Sequence, residues 1–281
     1  MNLPHSPLGD AASFLFVPAT QPERYGKALA SGAHGVIIDL EDAVGHDDKP
    51  KARELLKNHW SSLSVDDKKR IVIRCNSPGT SFYAADLVLL RELQAKYLMI
   101  PKTESRDHIN GAAEELPNTA FIPMIETPLG LKHLDAIVGS QQVLRLALGN
   151  LDMQVELGIS CDENETELDT ARFMMVLASR LAQIAPPIDG VTPATNDEAK
   201  ILAHAQKAKR FGFGAKLCIH PKQIPIVKQA FTPTAEEIDW AKRVIAADKN
   251  SGGQAAKVDG KMIDRPVVML ARRILAWAEN P

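Results

Sequence analysis

The stretch Gly-Val-Ile-Ile-Asp-Leu-Glu-Asp at residues 35–42 is an aliphatic run that ends in three carboxylates. A short apolar run of this kind is typical of a buried parallel strand. Seven further stretches read as buried strands, and most of them also end on a polar or charged residue: residues 13–19, 70–76, 97–102, 121–127, 144–152, 188–193 and 216–221. In a β/α barrel the carboxyl ends of parallel strands converge on one mouth, where the active site lies.

Segments with helical periodicity separate these strands at residues 22–31, 51–61, 86–94, 131–138, 168–185 and 197–211. The longest segment carries Phe173, Leu177 and Leu181 on one apolar stripe. Strands that alternate with helices must be parallel and joined by right-handed crossovers. A count of eight favours a closed barrel over an open sheet, and no Gly-x-Gly-x-x-Gly follows the first strand. The sequence therefore predicts an α/β fold, a (β/α)8 TIM barrel.

The character of the chain changes after the eighth strand. Thr234 and Glu237 have the spacing of a capping box that opens a helix to about residue 247, and a Ser-Gly-Gly linker follows. Asp259-Gly260 indicates a hairpin turn, and Pro266 begins a last helix. We expect a barrel at residues 1–231 and a C-terminal helical and hairpin extension at residues 232–281. The extension could act as a lid over its own barrel mouth or a neighbour's.

Bulk composition narrows the function classes. The chain has 281 residues, a formal net charge of -2 and 45% hydrophobic residues, so no global field draws it to nucleic acid or to anionic lipid. Neither a leader pattern nor an apolar run near the roughly 20 residues of a membrane span is present in the sequence. We expect a soluble, cytoplasmic protein that acts on small molecules. Its three cysteines form no Cys-x-x-Cys pair and are predicted to be reduced thiols.

Glu126 and Asp152 are the leading candidates for a metal site. Each is predicted to end an apolar strand, where a carboxylate without compensation would be unfavourable. Two carboxylates, completed by water and substrate oxygens, suit a hard cation such as Mg²⁺. The alternative is that both carboxylates cap the helical segments that follow them.

Charged residues also cluster at the ends of the second, third and fourth strands. Asp39 and Glu41 share one face of the strand by alternation, and Asp42 begins the loop. Carboxylates this close need cations or donors between them. Arg74 could bind a substrate carboxylate or thioester oxygen in bidentate fashion, or it could pair with the acidic residues. Lys102 could supply a point charge or a Schiff-base amine.

His220 ends the eighth predicted strand. It could act as a general base, although a histidine at a strand end more often forms hydrogen bonds or packs. No Gly-x-Ser-x-Gly motif and no paired Cys and His suggest a covalent hydrolase.

Eight motifs taken together resemble the citrate lyase beta-subunit-like family of the HpcH/HpaI aldolase superfamily. In chain order they are LFVP at 15–18, DLEDAV at 39–44, RCN at 74–76, PK at 101–102, IET at 125–127, GNLD at 149–152, GAKLCIHPKQ at 214–223 and DGKMIDRP at 259–266. Their order and spacing match over nearly the whole chain, which is more specific than any single motif. The resemblance implies a β/α barrel and Mg²⁺-dependent cleavage of carbon-carbon bonds in hydroxyacyl thioesters.

The resemblance also assigns roles to residues at the barrel mouth. It implies that Glu126 and Asp152 hold Mg²⁺ and that Arg74 binds substrate. Glu126 and Asp39 would also face the substrate, and Glu41 would join Arg74 in catalysis. Asp39 and Glu41 would orient Arg74 or hold water around the metal.

Further roles follow for the coenzyme and for assembly. Pro18, Lys216 and His220 are expected to bind the coenzyme. Asp264 falls where malyl- and citramalyl-CoA enzymes of this type place a catalytic acid or base donated by an adjacent subunit. That implies a homo-oligomer, a trimer or a hexamer. Without the resemblance, Asp264 could equally be a charge partner for the helix near Pro266.

The expected reaction is the reversible cleavage of a malyl-CoA or (S)-citramalyl-CoA type thioester into acetyl-CoA and a 2-oxo acid, glyoxylate or pyruvate. Relatives commonly begin the first strand with Arg-Ser, whereas this chain has Ala12-Ser13, so the contact to the acyl carrier differs. One alternative is therefore a citrate lyase beta subunit acting on a citryl thioester of an acyl carrier protein. The others are a malyl-CoA thioesterase and a non-catalytic barrel.

Overall fold

Eight parallel strands close into a barrel in which each strand pairs with its neighbours in chain order and the last returns to the first. The computed structural model of the protein describes residues 6–250 and 256–279. The strands are β1 (Ser13–Pro18), β2 (Gly35–Asp39), β3 (Ile71–Arg74), β4 (Tyr97–Ile100), β5 (Ala120–Ile125), β6 (Ala147–Leu148), β7 (Ile188–Asp189) and β8 (Ala215–Cys218). The predicted (β/α)8 TIM barrel is confirmed.

Helices follow the strands along the chain. They are α1 (Tyr25–Leu29), α2 (Lys49–Trp60), α3 (Val65–Lys68), α4 (Tyr83–Leu93), α5 (Arg106–Glu115), α6 (Pro128–Lys132), α7 (Leu134–Val138), α8 (Asn150–Leu157), α9 (Asp169–Leu181), α10 (Glu198–Phe211) and α11 (Gln223–Phe231). The sequence pattern does not predict α3, α5, α8 or α11. Helix α5 buries only Ile109 and Ala112, so it has too few apolar residues to mark it as a helix in the sequence.

The prediction of one strand over residues 144–152 is wrong in its second half. Strand β6 ends at Leu148, Gly149 breaks it, and Asn150 already begins α8. Asp152 therefore lies in the first turn of a helix, where the helix dipole favours a negative charge. The chain still brings Asp152 to the carboxyl end of the barrel, because the helix starts directly at the strand end.

Helix α9 is present where predicted, but its apolar stripe is not its buried face. Phe173, Leu177 and Leu181 are 61%, 48% and 73% exposed. The buried face is built mainly from small residues and from Met175, together with one charged side chain, Arg172. The stripe thus lies open on the outside of the barrel.

The barrel interior is packed with apolar side chains from all eight strands and from the segment before β1: Leu8, Ala11, Phe14, Ile37, Val72, Tyr97, Met99, Ile122, Met124, Leu144, Ala147, Ile188, Ala215 and Leu217. Arg145 is fully buried just before β6 and connects the chain segments that precede β1 and β7. It donates to the carbonyls of Leu8, Ala11 and Pro186 at 2.9, 2.8 and 2.8 Å. All three cysteines are free thiols, as predicted.

The chain divides into two compact units, Met1–Val227 and Lys228–Pro281. The second contains α12 (Ala235–Asn250), the antiparallel strands β9 (Ala256–Val258) and β10 (Lys261–Ile263), and α13 (Arg265–Glu279). Its own core comprises Ala241, Val244, Val258, Ile263, Val268 and Ala271. A lid function for this extension stays a prediction.

The capping box and the hairpin turn predicted for the second unit are confirmed. The Thr234 N–H donates to Glu237 Oε2 at 2.8 Å and the Glu237 N–H to Thr234 Oγ1 at 3.1 Å, which is a capping box. Asp259 and Gly260 have φ of +50° and +75°, as the predicted hairpin turn requires. The predicted Ser-Gly-Gly linker lies outside the described residues. No helix in the described part of the chain is both long and apolar enough to span a bilayer.

Candidate active site at the carboxyl ends of the strands

Asp39 and Arg74 end β2 and β3 and are register partners across the two strands. Arg74 Nε donates to Asp39 Oδ1 and Arg74 Nη2 to Oδ2, both at 2.7 Å. Asp39 also accepts the backbone N–H groups of Glu41 and Ala43 at 2.9 Å. Burial opposes ionisation of Asp39, but Arg74 and these donors outweigh it and lower the pKa of the carboxyl. Asp39 is 1% exposed and both its oxygens are engaged by Arg74 and backbone donors; its contact with a substrate stays a prediction.

The outer edge of the Arg74 guanidinium meets further acidic groups. Its Nη1 lies 3.1 Å from Glu41 Oε2 and 3.5 Å from Asp42 Oδ2. Ser77 Oγ donates to Glu41 Oε1 at 2.7 Å, and the guanidinium stacks on the Phe16 ring with 4.7 Å to its centroid. Burial raises the pKa of Glu41 to about 7, although Arg74 pulls it down. Arg74 is thus held in one orientation from three sides.

Glu126 and Asp152 both contact Lys102, Glu126 at the backbone and Asp152 at the side-chain ammonium, and the charge of Asp152 acts on Glu126. The Lys102 backbone N–H donates to Glu126 Oε1 at 2.6 Å, and Lys102 Nζ lies 3.7 Å from Asp152 Oδ1. Lys102 has φ of +45°, an unusual backbone conformation for a residue with a long side chain. The sequence placed the two carboxylates at strand ends but carried no sign that one lysine would contact both.

The charges around Glu126 and Asp152 favour a bound cation. Burial, together with the nearby charges of Glu41 and Asp152, raises the pKa of Glu126 to about 8, although the Lys102 N–H and Arg74 act in the opposite direction. Burial alone would lower the pKa of Lys102, yet Asp152 and Glu126 raise it overall. In the described part of the chain, no group of three or more His, Cys, Asp or Glu side chains is arranged to hold a metal ion. A cation here would take two carboxylates and fill its other positions with water and ligand oxygens, which is the usual mode of Mg²⁺.

Two glycines allow these groups to pack closely. A Cβ at Gly149 would overlap the Glu126 carboxylate, and a Cβ at Gly190 would overlap the side-chain amide of Asn150. Neither glycine has positive φ, so their requirement is space and not backbone conformation.

A model of the HpcH/HpaI aldolase/citrate lyase family matches residues 12–221. This chain belongs to that family. The resemblance of the sequence motifs is thereby confirmed. Among curated relatives, a (3S)-malyl-CoA thioesterase of Cereibacter sphaeroides is 32% identical over 270 residues, which covers 95% of this chain and 94% of the relative. A citrate lyase subunit beta-like protein of Mycobacterium tuberculosis is 34% identical over 271 residues, or 94% of each chain.

Solved structures of the family agree with the fold. The crystal structure of the protein CitE from M. tuberculosis in complex with magnesium, acetoacetate and coenzyme A superimposes with a TM-score of 0.86 at 32% identity. The match covers 97% of this chain and all of that one. A second structure of that protein, with magnesium and pyruvate, has a TM-score of 0.77 at 29% identity.

Behind the mouth, this family member contains a buried polar network that the sequence did not reveal. Arg172 Nε donates to Asp189 Oδ1 at 2.9 Å, and Arg172 Nη2 pairs with Glu165 Oε2. Lys216 Nζ donates to Asp189 Oδ2 and to the Gly190 carbonyl, each at 2.8 Å. Burial opposes ionisation of Asp189, but Lys216 and Arg172 lower its pKa overall. The signal that could have indicated this network is the presence of Asp189 and Lys216 within predicted buried strands.

The residues expected to bind the coenzyme, Pro18, Lys216 and His220, lie in different environments. Lys216 is 1% exposed and its ammonium donates to Asp189 and to the Gly190 carbonyl, so it is not open to a phosphate at the surface, and we assign it to the network instead. Pro18 is half-buried at the end of β1. His220 is half-buried after β8, and its Nδ1 accepts the backbone N–H of Lys222 at 3.2 Å. Contact of Pro18 and His220 with coenzyme stays a prediction.

Asp264 lies in the second unit and is exposed. Its Oδ1 accepts the Val267 N–H at 3.2 Å, so it caps α13, which agrees with the alternative that it is a charge partner for that helix. One carboxylate oxygen in a cap leaves the other open to a second task. Its catalytic role in a neighbouring copy is not tested by this contact.

Proposed function

We propose that this chain is a Mg²⁺-dependent lyase that cleaves malyl-CoA or (S)-citramalyl-CoA into acetyl-CoA and glyoxylate or pyruvate. The observation that carries the proposal is the pair of carboxylates, Glu126 and Asp152, that shares one lysine at the barrel mouth. Supporting it, the relative with a TM-score of 0.86 was crystallised with magnesium, acetoacetate and coenzyme A. A divalent ion would neutralise two carboxylates that burial and mutual repulsion otherwise make unfavourable.

The reaction breaks the bond between the carbon next to the thioester and the carbon that bears the hydroxyl. The hydroxyl gives its proton to a base and becomes the carbonyl of the 2-oxo acid, an aldehyde in glyoxylate and a ketone in pyruvate, while the bond electrons move into the thioester as an enolate. Protonation of the enolate carbon then gives acetyl-CoA. Glu126 and Asp152 would hold Mg²⁺, and the bound ion would supply the Lewis acidity that lowers the pKa of the substrate hydroxyl.

Residues of this chain would stabilise the charge on the enolate and transfer the proton. Arg74 would donate to the enolate oxygen, where negative charge develops, and this stabilises the transition state more than the ground state. Asp39 and Glu41 keep the guanidinium in place through the contacts described above. Asp264 of a neighbouring copy would transfer the proton at the acetyl carbon.

A thioesterase is the second candidate, favoured by the 32% identity to a (3S)-malyl-CoA thioesterase. The third is a citrate lyase beta subunit, since a relative of that name in Leuconostoc mesenteroides is 30% identical. The three differ in products and carrier: acetyl-CoA with a 2-oxo acid, malate with free CoA, or turnover only on an acyl carrier protein.

The test is product analysis on malyl-CoA and citramalyl-CoA, with and without Mg²⁺. We expect acetyl-CoA and a 2-oxo acid in equal amounts, and loss of turnover in Glu126→Gln and Asp152→Asn with the fold intact. Asp66→Asn, at an exposed carboxylate of α3, is the matched control and should stay active. Free thiol without 2-oxo acid would identify the thioesterase. Mg²⁺-dependent turnover at the wild-type rate in either mouth variant would refute the metal assignment.

We also infer that the active form is an oligomer of identical chains. The apolar stripe on α9, formed by Phe173, Leu177 and Leu181, is open to solvent, and large exposed apolar patches commonly mark interaction sites. Helix α8, which precedes α9 in the chain, also exposes Leu151 and Val155, at 46% and 79%. We expect light scattering to report a trimer or hexamer that Leu177→Glu dissociates. A monomeric wild type would refute the inference.

A further inference from the structure

The helix that carries Asp152 is fastened at its first residue. Asn150 is 1% exposed, and its side-chain amide makes three hydrogen bonds. Oδ1 accepts the Val191 N–H at 2.9 Å, while Nδ2 donates to the Val191 carbonyl at 3.0 Å and to Glu165 Oε1 at 2.9 Å. An amide that pairs in both directions with one stretch of backbone has a single orientation. The start of α8 is therefore bound to the chain that continues from β7.

Glu165 is required as a carboxylate by the groups around it. Its Oε1 accepts from Asn150 and its Oε2 from Arg172, and the Arg172 Nη1 also donates to the Glu165 carbonyl at 3.0 Å. A glutamine has one acceptor oxygen and one NH₂ group, so it would turn a donor toward either Asn150 or Arg172. Glu165 thus connects the start of α8 to the buried charges beneath it.

Those buried charges are balanced. Arg172 and Lys216 carry two positive charges, and Glu165 and Asp189 carry two negative ones, within one set of hydrogen bonds. A fully paired network at low local dielectric is rigid, because moving one member leaves another unpaired. This gives Asn150 a fixed base on which to hold α8.

Asp152 itself has little to hold it. Its side chain is 40% exposed, and in the described part of the chain its ion-pair partner within 4 Å is Lys102 at 3.7 Å. Its position is therefore set by α8, and the position of α8 is set two residues earlier by Asn150.

We propose that Asn150 and Glu165 are positioning residues of the metal site, which hold Asp152 opposite Glu126 before the ion arrives. The inference rests on the proposed function in taking the ligand to be a divalent cation. Residues behind metal ligands typically contribute about 10- to 100-fold to metal affinity, and we expect a loss of that size here.

The experiment measures binding of Mn²⁺, as a probe for Mg²⁺, through the loss of the free-ion EPR signal, alongside the unfolding temperature. Asn150→Ala removes the amide without changing charge, and we expect it to weaken Mn²⁺ binding about 10- to 100-fold. Arg145→Met is the control, since Arg145 is equally buried but joins segments before β1 and β7. It should lower the unfolding temperature and leave Mn²⁺ affinity unchanged.

A folded Asn150→Ala that binds Mn²⁺ as tightly as the wild type overturns the inference. If that variant does not fold, Mn²⁺ binding by Glu165→Gln is judged by the same criterion. If Arg145→Met weakens Mn²⁺ binding as much as Asn150→Ala does, the weakening reflects general destabilisation and the inference is overturned. A wild type that retains no Mn²⁺ overturns the proposed function itself, which separates the two failures.

Discussion

Replacement of Asp39 by Asn tests whether one buried ion pair holds the site together. Asp39 meets Arg74 through two hydrogen bonds of 2.7 Å, and Arg74 is only 8% exposed. Breaking a buried pair by removing one partner costs about 3 to 5 kcal/mol, because the other charge is left uncompensated. Glu41 stays 3.1 Å from the guanidinium, so we expect the lower end, about 3 kcal/mol. That corresponds to roughly a hundredfold in the folding equilibrium.

Replacement of Arg74, the partner of Asp39, alone and together with Asp39, separates the effect of the ion pair on stability from its effect on catalysis. Arg74→Met leaves Asp39 and Glu41 without their shared cation and should cost at least as much as Asp39→Asn. In the double variant neither buried charge of the pair remains, so its loss of stability should fall about 3 kcal/mol short of the sum of the two single losses. Turnover should be absent from the double variant, because no guanidinium is left to stabilise the enolate.

The assay is urea unfolding followed by far-UV circular dichroism, with midpoints compared at equal slopes. A loss below about 1 kcal/mol for Asp39→Asn would mean that the pair behaves like an exposed one. Additive losses in the cycle would likewise refute the reasoning, since two groups in direct contact must couple.

Three further outcomes follow from the geometry. Gly149→Ala should weaken Mg²⁺ binding about tenfold or more, because the new methyl displaces Glu126; unchanged metal affinity by titration calorimetry would contradict this. Lys102→Met should tighten Mg²⁺ binding about fivefold at low salt, since a competing cation beside Asp152 is removed, and weaker binding would show that the lysine supports the metal instead. Tyr25→Phe should cost about 1 to 2 kcal/mol in urea unfolding, because its buried hydroxyl donates to a backbone carbonyl at 2.9 Å; a neutral result would mean that water replaces the bond.

Much of the mouth could be predicted from residue order alone. Asp39 and Arg74 end adjacent parallel strands, and Glu126 follows a third, so the rule that strand ends meet brought them together. Asp152 was predicted in the right place for a wrong local reason, since it lies in the first turn of α8 and not in a strand. Local patterns could not distinguish the two, because an apolar run next to a glycine suits either.

The sequence by itself indicated the eight-stranded barrel, since the alternation of eight apolar runs with helical segments is a local property that favours a closed parallel barrel over an open sheet. It also indicated that carboxylates and an arginine would lie together at the carboxyl end of the barrel strands. Tertiary structure alone decided which charges meet. Asn150, Glu165, Arg172, Asp189 and Lys216 come from four separate segments, and their pairing depends on distances across the barrel that no local period encodes. The same reason explains why α9 buries a charged residue and exposes its leucines: the face a helix buries is chosen by its neighbours and not by its own periodicity.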